Sequence, residues 1–345
     1  MPHEAVTRHL LTPRAYPRTL ALVVPMFNEG PAVPFLRRAI QQFARELRGD
    51  LEVVLVNDGS SDGTLDAICA WAAEDRRIKV IHLSRNFGHQ LAATAGLDYA
   101  NGDAVVLIDA DLQDPLEVIH GMIERYCEGY DVAYGQRLER SGESPFKRFT
   151  AWAFYRLMRA FVYNRLPTDT GDFRLLSRDC LMALRRMRET HRFLRGMATW
   201  VGYPQIAVPY RRAERSAGST KYPLHKMLAF AWTAATSFST LPLKLSMLIG
   251  VMVGLFGIEE AIRALVAFMF GWVVPGWTSL TIIICMIGSS LLMSVGVLGE
   301  YVGKLYEQSK DRPLYLVSRT FNVDAQDSAQ CETLLTAGSD HPARR

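Results

Sequence analysis

Residues 104–115 read AVVLIDADLQDP: five apolar residues, then Asp109 and Asp111 two apart, then a turn. A short β-branched run that breaks into acidic turn residues is the mark of a buried strand whose carboxyl end opens on a site. Working outward, Leu20–Val24, Val53–Val56 and Lys79–Leu83 repeat the pattern, and each ends in a polar cluster: PMFNE (25–29), NDGSSDGT (57–64) and SRNFGH (84–89). Between them, Ala32–Leu47, Thr64–Ala73, His89–Tyr99 and Leu116–Glu128 are long enough for helices. Strands alternating with helices predict an α/β fold, a doubly wound, mostly parallel sheet. Ligands bind beyond the carboxyl ends of such strands, where all four polar clusters fall.

Composition sets the limits. The chain has 345 residues, 49% hydrophobic and 21% charged, which excludes wholesale disorder. Its 39 Lys+Arg against 35 Asp+Glu leave a net charge of +4, too little to point to a nucleic-acid partner. Five cysteines form no C-x-x-C pair and read as reduced thiols facing a cytosol. There is no G-x-G-x-x-G and no P-loop, which argues against oxidoreductases and NTPases.

The second half changes character. A strand-like DVAYG is followed by a basic, aromatic helix at Phe146–Tyr163, then TDTGDFRLLS, then a helical stretch around Arg178–Arg188. Leu224, Met227, Leu228, Ala231, Trp232, Ala235 and Phe238 share one helical face beside Lys221, His225 and Lys226. That stripe reads as an interfacial amphipathic helix at 223–240, or as a surface helix packed on the domain. No charge occurs from Ala264 to Gly299, and 278–298 is long enough to cross a ~30 Å hydrocarbon core. Residues 241–270 form the expected first membrane helix, in which Glu259 and Arg263 pair or line a path for a polar headgroup. Lys244, Lys304, Lys310 and Arg312 place both termini in the cytoplasm. The expected organisation is therefore a flexible N-terminus without a signal-peptide core (1–18), a catalytic domain (19–222), the interfacial helix, two membrane helices and a cytoplasmic tail (299–345), unstructured beyond residue 320.

Asp109, Asp111 and the Gln113 carbonyl suit Mg²⁺ or Mn²⁺, which fills its shell with waters and phosphate oxygens. The alternative is a turn that is Asp-rich because Asp favours turns. Asp58 stands where a base edge would meet it, while Asp62 or Thr64 caps the next helix. Glu29 offers an acceptor for ribose hydroxyls, Phe27 an apolar wall and Pro25 a rigid terminator. Asp172 either orients a sugar hydroxyl or caps a turn beside Gly171. Arg185, Arg186 and Arg188 read as a solvated helix face. His89 and Gln90 either touch the nucleotide-sugar or pack at a helix start, and Arg192 and Arg195 are candidate acceptor-side cations.

PMFNE, NDGSSDGT, RNFGHQLA (85–92) and DADLQDP, in this order and spacing, resemble family 2 of the inverting nucleotide-sugar glycosyltransferases. GDFRLLS (171–177), HRFLRG (191–196) and R-x-x-G-x-T-K-Y (Arg215–Tyr222) resemble its polyprenyl-phosphate branch, which includes dolichyl-phosphate mannose synthases and bactoprenol glucosyltransferases. The resemblance covers roughly residues 19–318 and implies a GT-A type domain. It implies that Pro25, Phe27, Glu29 and Asp58 hold base and ribose, and that Asp109, Asp111 and Gln113 bind metal and diphosphate. Arg137 would meet the acceptor phosphate, aided by Arg140, Lys147 or Arg148, and Arg215 and Lys221 would close over the diphosphate. Phe27 stands where Tyr is common, and Thr220 where Ser is common.

The expected reaction moves one sugar, by default glucose, from a UDP-sugar to undecaprenyl phosphate at the cytoplasmic face of the bacterial inner membrane. A dianionic lipid phosphate needs no strong general base; it needs alignment behind the anomeric carbon and neutralisation of the leaving diphosphate. The partners expected are donor, acceptor and membrane lipid, in a homotetramer. A processive synthase is disfavoured, since no Q-x-x-R-W motif is present. An inactive, transferase-like membrane scaffold is the reading from a different class, opposed by the presence of Asp58, Asp109, Asp111 and Gln113.

Overall fold

The structure, a computed structural model, describes residues 11–138, 170–190, 192–211, 241–270 and 277–324. These fall into two compact units: one holds 11–138, 170–190, 192–211 and 311–324, the other 241–270 and 277–310.

The first unit is built on an eight-stranded sheet. Its strands are β1 (Thr19–Met26), β2 (Asp50–Asn57), β3 (Ile78–Leu83), β4 (Ala104–Leu107), β5 (Val132–Arg137), β6 (Thr170–Ser177), β7 (Gln205–Tyr210) and β8 (Val317–Phe321). The order is β7-β5-β6-β4-β1-β2-β3-β8. β1, β2, β3 and β4 run parallel, and all but the first residue of β1 and of β2 are buried. Burial on both faces is why these strands read as continuous Val, Leu and Ile runs. The chain adds β2 and β3 on one side of β1 and then crosses to place β4 on the other. β1 and β4 therefore flank a topological switch point, with Leu20–Val23 in register with Ala104–Leu107. PMFNE and DADLQDP leave the sheet side by side from its two strands.

The connecting helices are α1 (Val33–Glu46), α2 (Thr64–Glu74), α3 (His89–Tyr99) and α4 (Val118–Cys127), followed later by α5 (Arg178–Arg186) and α6 (Leu194–Trp200). α1 buries Val33, Leu36, Ile40 and Phe43 on one stripe. α3 is buried from Ala92 through Tyr99. α5 starts at Ser177, whose Oγ accepts from the Cys180 amide at 3.3 Å, a cap worth about 1 kcal/mol. The thiols of Cys69, Cys127 and Cys180 are free.

β6 departs from the expected pattern. TGDFRLLS is a central strand, antiparallel to both β4 and β5. Arg174 is buried within it and donates to the Gly171 carbonyl at 3.1 Å. Burial pushes its guanidinium down to about 10, against the pull of Asp172.

Both ends of the sheet unit are more ordered than expected. Within the predicted flexible 1–18, residues 11–18 are described: Arg14 pairs with Asp131 at 2.6 Å and lies over the Tyr126 ring. Within the predicted tail, 311–324 returns to the sheet, where β8 pairs antiparallel with β3. Tyr315 is fully buried and donates to Asp98 Oδ2 at 2.8 Å, while Asn322 Nδ2 donates to the Ala72 and Ile78 carbonyls. Burying one such ring is worth about 2–3 kcal/mol.

The second unit is two helices, α7 (Leu241–Met269) and α8 (Trp277–Ser309), packed along one another. Their outer surfaces carry exposed Met247, Met252, Leu255, Ile287, Leu291 and Leu292. Among the described residues, one stretch is long and apolar enough to cross a membrane, Met286–Ser309. Arg263 pairs with Glu260 at 2.9 Å, one residue from the expected Glu259. The predicted interfacial helix lies outside the described residues.

Candidate active site

The site is assembled at the switch point. β1 ends in Pro25 and Met26, and Asn28 then takes a left-handed φ of 54°. Asn28 Oδ1 accepts from the Ser61 amide at 2.8 Å, its own amide donates to Ser60 Oγ at 2.9 Å, and the Glu29 amide donates to Thr64 Oγ1 at 2.9 Å. Gly30 and Thr64 both donate backbone N–H groups to Asp62, which ties the two loops together; the N-cap of α2 is Gly63, not the expected Asp62 or Thr64. The loops after β1 and β2 are thus laced together, with Phe27 46% exposed at their rim and Glu29 half-buried beside it.

Asp58 faces inward, against the expectation of an open base-edge acceptor. It is 2% exposed, and its two oxygens accept from the Phe87 and Gly88 amides at 2.7 and 2.9 Å. The carboxylate fastens the SRNFGH loop against the carboxyl end of β2.

DADLQDP forms the opposite wall. Asp109 and Asp111 are half-buried, Leu112 reverses the chain at φ 52°, and Asp111 Oδ1 accepts from the Gln113 amide at 3.2 Å. Burial, then the negative charges of Asp172, Asp114 and Asp111, push the Asp109 carboxyl up, opposed by His89. A cation placed among these carboxylates relieves that repulsion. Gln113 is 4% exposed, and its Nε2 has no hydrogen-bond partner among the described residues.

His89, at the start of α3, bridges the two strand ends: its Nε2 lies 3.6 Å from Asp109 Oδ1 and 3.4 Å from Asp172 Oδ2. Burial works to lower its pKa, but the hydrogen bond to Asp172 and the charges of Asp109 and Asp172 leave it raised. Asp172 is buried and accepts from Arg195 Nε at 2.8 Å and Gln90 Nε2 at 3.0 Å. Burial pushes its carboxyl up, but Arg195, with hydrogen bonds from His89 and Arg195, holds it well below the usual carboxylate range. His89, Gln90, Asp172 and Arg195 therefore form one network with Asp109, which the sequence alone presents as separate alternatives because they come from α3, β6, α6 and the turn after β4.

Arg137 ends β5, and its Nε donates to the Tyr210 hydroxyl at 3.3 Å. Tyr210 in turn donates to Asp114 Oδ1, and burial with that bond pushes its phenol up to about 12, so it stays protonated. Arg140, Lys147, Arg148, Arg215 and Lys221 lie outside the described residues. The solvated face expected for Arg185, Arg186 and Arg188 holds at Arg186, which is exposed, and is corrected at the other two: Arg185 is 2% exposed and donates to the Leu97 and Ala100 carbonyls, closing the C-terminal end of α3. Arg188 pairs with Asp98 at 2.7 Å. Arg192 is also internal, donating to the Met187 and Leu184 carbonyls, and burial pushes it down to about 10.

Among the described residues, no group of three or more His, Cys, Asp or Glu side chains has metal-holding geometry. Two hard carboxylates in a repelling cluster fit a cation that takes its other ligands from phosphate oxygens and water, as Mg²⁺ does, and not an all-protein cage.

The model of the family described as Glycosyl transferase family 2 matches residues 21–185. An uncharacterized glycosyltransferase YkcC of Bacillus subtilis (strain 168) is 42% identical over 305 residues, 88% of this chain and 94% of that one. The prophage bactoprenol glucosyl transferase homolog of Escherichia coli (strain K12) is 40% identical over 301 residues, 87% of this chain and 98% of that one. A solved mannosyltransferase, PcManGT from Pyrobaculum calidifontis, is similar at a TM-score of 0.41 and 16% identity, over 83% of this chain and 89% of that one. With relatives this similar over nearly their full lengths, the chain belongs to glycosyl transferase family 2 and is a glycosyltransferase.

Proposed function

We propose that the protein transfers one glucose from UDP-glucose to undecaprenyl phosphate at the cytoplasmic face of the bacterial inner membrane, in one inverting displacement. The observation that carries the reading is the placement of the Asp109–Asp111 wall and of Arg137 at the carboxyl ends of β4 and β5, the strands flanking β6, with the Asp172 network between them. The name of the Escherichia coli relative, a bactoprenol glucosyl transferase homolog, supports the acceptor class.

In this reading Pro25, Phe27 and Glu29 line the nucleoside end, and Asp58 sets the loop that closes it. Asp109, Asp111 and Gln113 hold Mg²⁺ or Mn²⁺ with the diphosphate; the ion supplies neutralisation of the charge on the leaving group. Arg137, with Arg140, Lys147 or Arg148, binds the acceptor phosphate, which attacks the anomeric carbon directly because it is already anionic. Asp172 orients a sugar hydroxyl, and Arg215 and Lys221 close over the diphosphate. The exposed apolar surfaces of α7 and α8 support a two-span anchor in which the 223–240 helix lies at the interface and both termini face the cytoplasm. A homotetramer belongs to the same reading.

The test uses detergent-purified protein, undecaprenyl phosphate and a panel of labelled UDP- and GDP-sugars, and reads label entering the organic phase. Label from UDP-glucose alone, lost with EDTA, is the expected result; no label from any donor with folded protein overturns the reading.

A further inference from the structure

Arg137 is held in place by groups from the neighbouring strand and from the turn after β4. β5 and β7 pair in parallel with Arg137 opposite Tyr210, so the two side chains leave the sheet together. The guanidinium Nε donates to the Tyr210 hydroxyl at 3.3 Å, and that hydroxyl donates to Asp114, buried in the DADLQDP turn. Arg137 Nη2 stands 3.8 Å from Asp114 Oδ1, beyond hydrogen-bond length. The phenol therefore sits between cation and carboxylate, and Asp114 balances the guanidinium without taking its fork.

Two glycines lie against this arrangement. A Cβ at Gly171 would stand 2.9 Å from Arg137 Nη2, so bare backbone is the floor on which the guanidinium rests. A Cβ at Gly135 would come within 2.8 Å of both the Tyr210 and Phe173 rings, which pack edge to face at 5.7 Å. β5, β6 and β7 each contribute a residue whose size matters to the position of one side chain.

We infer that Tyr210 is a positioning residue for the acceptor: with Asp114 and the bare backbone at Gly171, it pre-sets the Arg137 guanidinium to receive a phosphate monoester, the headgroup of a polyprenyl phosphate. This rests on the acceptor reading given above. An arginine already in place loses less freedom on binding, so the benefit falls on acceptor affinity and alignment and not on the nucleotide-sugar.

The experiment compares wild type, Tyr210→Phe, Gly171→Ala, Arg137→Ala and the Tyr210→Phe/Arg137→Ala pair, measuring KM separately for undecaprenyl phosphate and for the nucleotide-sugar. Tyr210→Phe keeps the ring and removes the hydroxyl; Gly171→Ala displaces the same guanidinium from the other side. Tyr210→Phe is expected to raise the acceptor KM about tenfold, the loss of one hydrogen bond to a charged group, and Gly171→Ala to raise it in the same direction, each with the donor KM unchanged. Adding Tyr210→Phe to Arg137→Ala should change nothing further. An acceptor KM that Tyr210→Phe leaves unaltered, an equal rise in both KM values, or additivity with Arg137→Ala overturns the inference while wild-type transfer leaves the function standing. Wild type that transfers to no polyprenyl phosphate overturns the function, and the inference with it.

Discussion

Arg195 lays its guanidinium along the carboxylate of Asp172, with Nε 2.8 Å from Oδ1 and Nη2 3.4 Å from Oδ2. The pair ties α6 to the central strand β6, and Gln90 repeats the tie by donating to Asp172 while accepting the Leu194 amide. Asp172 is therefore a fixed anion within reach of His89 and Asp109, not a turn cap. Removing the guanidinium leaves a buried carboxylate short of its main partner. Arg195→Ala is expected to lower kcat about 10–100-fold, the equivalent of one or two charged hydrogen bonds, with Arg195→Lys recovering part of the loss. Steady-state kinetics on the purified variants checks it.

The same pair predicts the acid limb of stability. Asp172 is held below the usual carboxylate range when folded, whereas in the unfolded chain it binds its proton near pH 4. Below that point the unfolded state carries the extra proton, so the stabilisation present above about pH 4 is lost as pH falls toward the folded value. Asp172→Asn removes this contribution. Its melting temperature should fall less steeply than that of wild type between about pH 5 and pH 3.

Asp111→Ala should abolish transfer, by about 10³-fold or more, with the melting temperature of the protein preserved. Asp111 is half-buried in a turn and accepts locally from the Gln113 amide, so folding depends on it little. Wild-type turnover in this variant would remove the Asp111 assignment.

Tyr315→Ala should destabilise the protein by about 3–5 kcal/mol, the usual cost of deleting a fully buried ring. The ring is fully enclosed and its hydroxyl reaches Asp98, which also takes Arg188. Thermal or denaturant unfolding in detergent measures the loss.

The parallel half of the sheet was readable because strands buried on both faces must be apolar throughout, and Leu20–Val24, Val53–Val56 and Ala104–Ile108 obey that rule. Site loops were readable because polar clusters followed those strands. β6 was hidden by Asp172 and Arg174, charges that a central strand carries only when paired within the protein. Arg185 and Arg188 looked like a solvated face because sequence cannot show that helix-end carbonyls and Asp98 await them inside. Asp58 was placed correctly at the strand end, but the amides it binds, Phe87 and Gly88, come from a loop 29 and 30 residues away. The 311–324 strap was missed for a related reason: its polar alternation suits an edge strand, and only the partner β3 makes it one.

The most direct test of the central claim, that the lipid phosphate itself displaces the diphosphate, is the anomeric configuration of the product. UDP-glucose carries an α-linkage, and one in-line displacement on this site yields β-glucosyl undecaprenyl phosphate. A β-anomer by NMR, formed by wild type and absent with Asp111→Ala, is the predicted result. An α-linked product would contradict a single displacement and require a second nucleophile within the Asp109–Asp172 network.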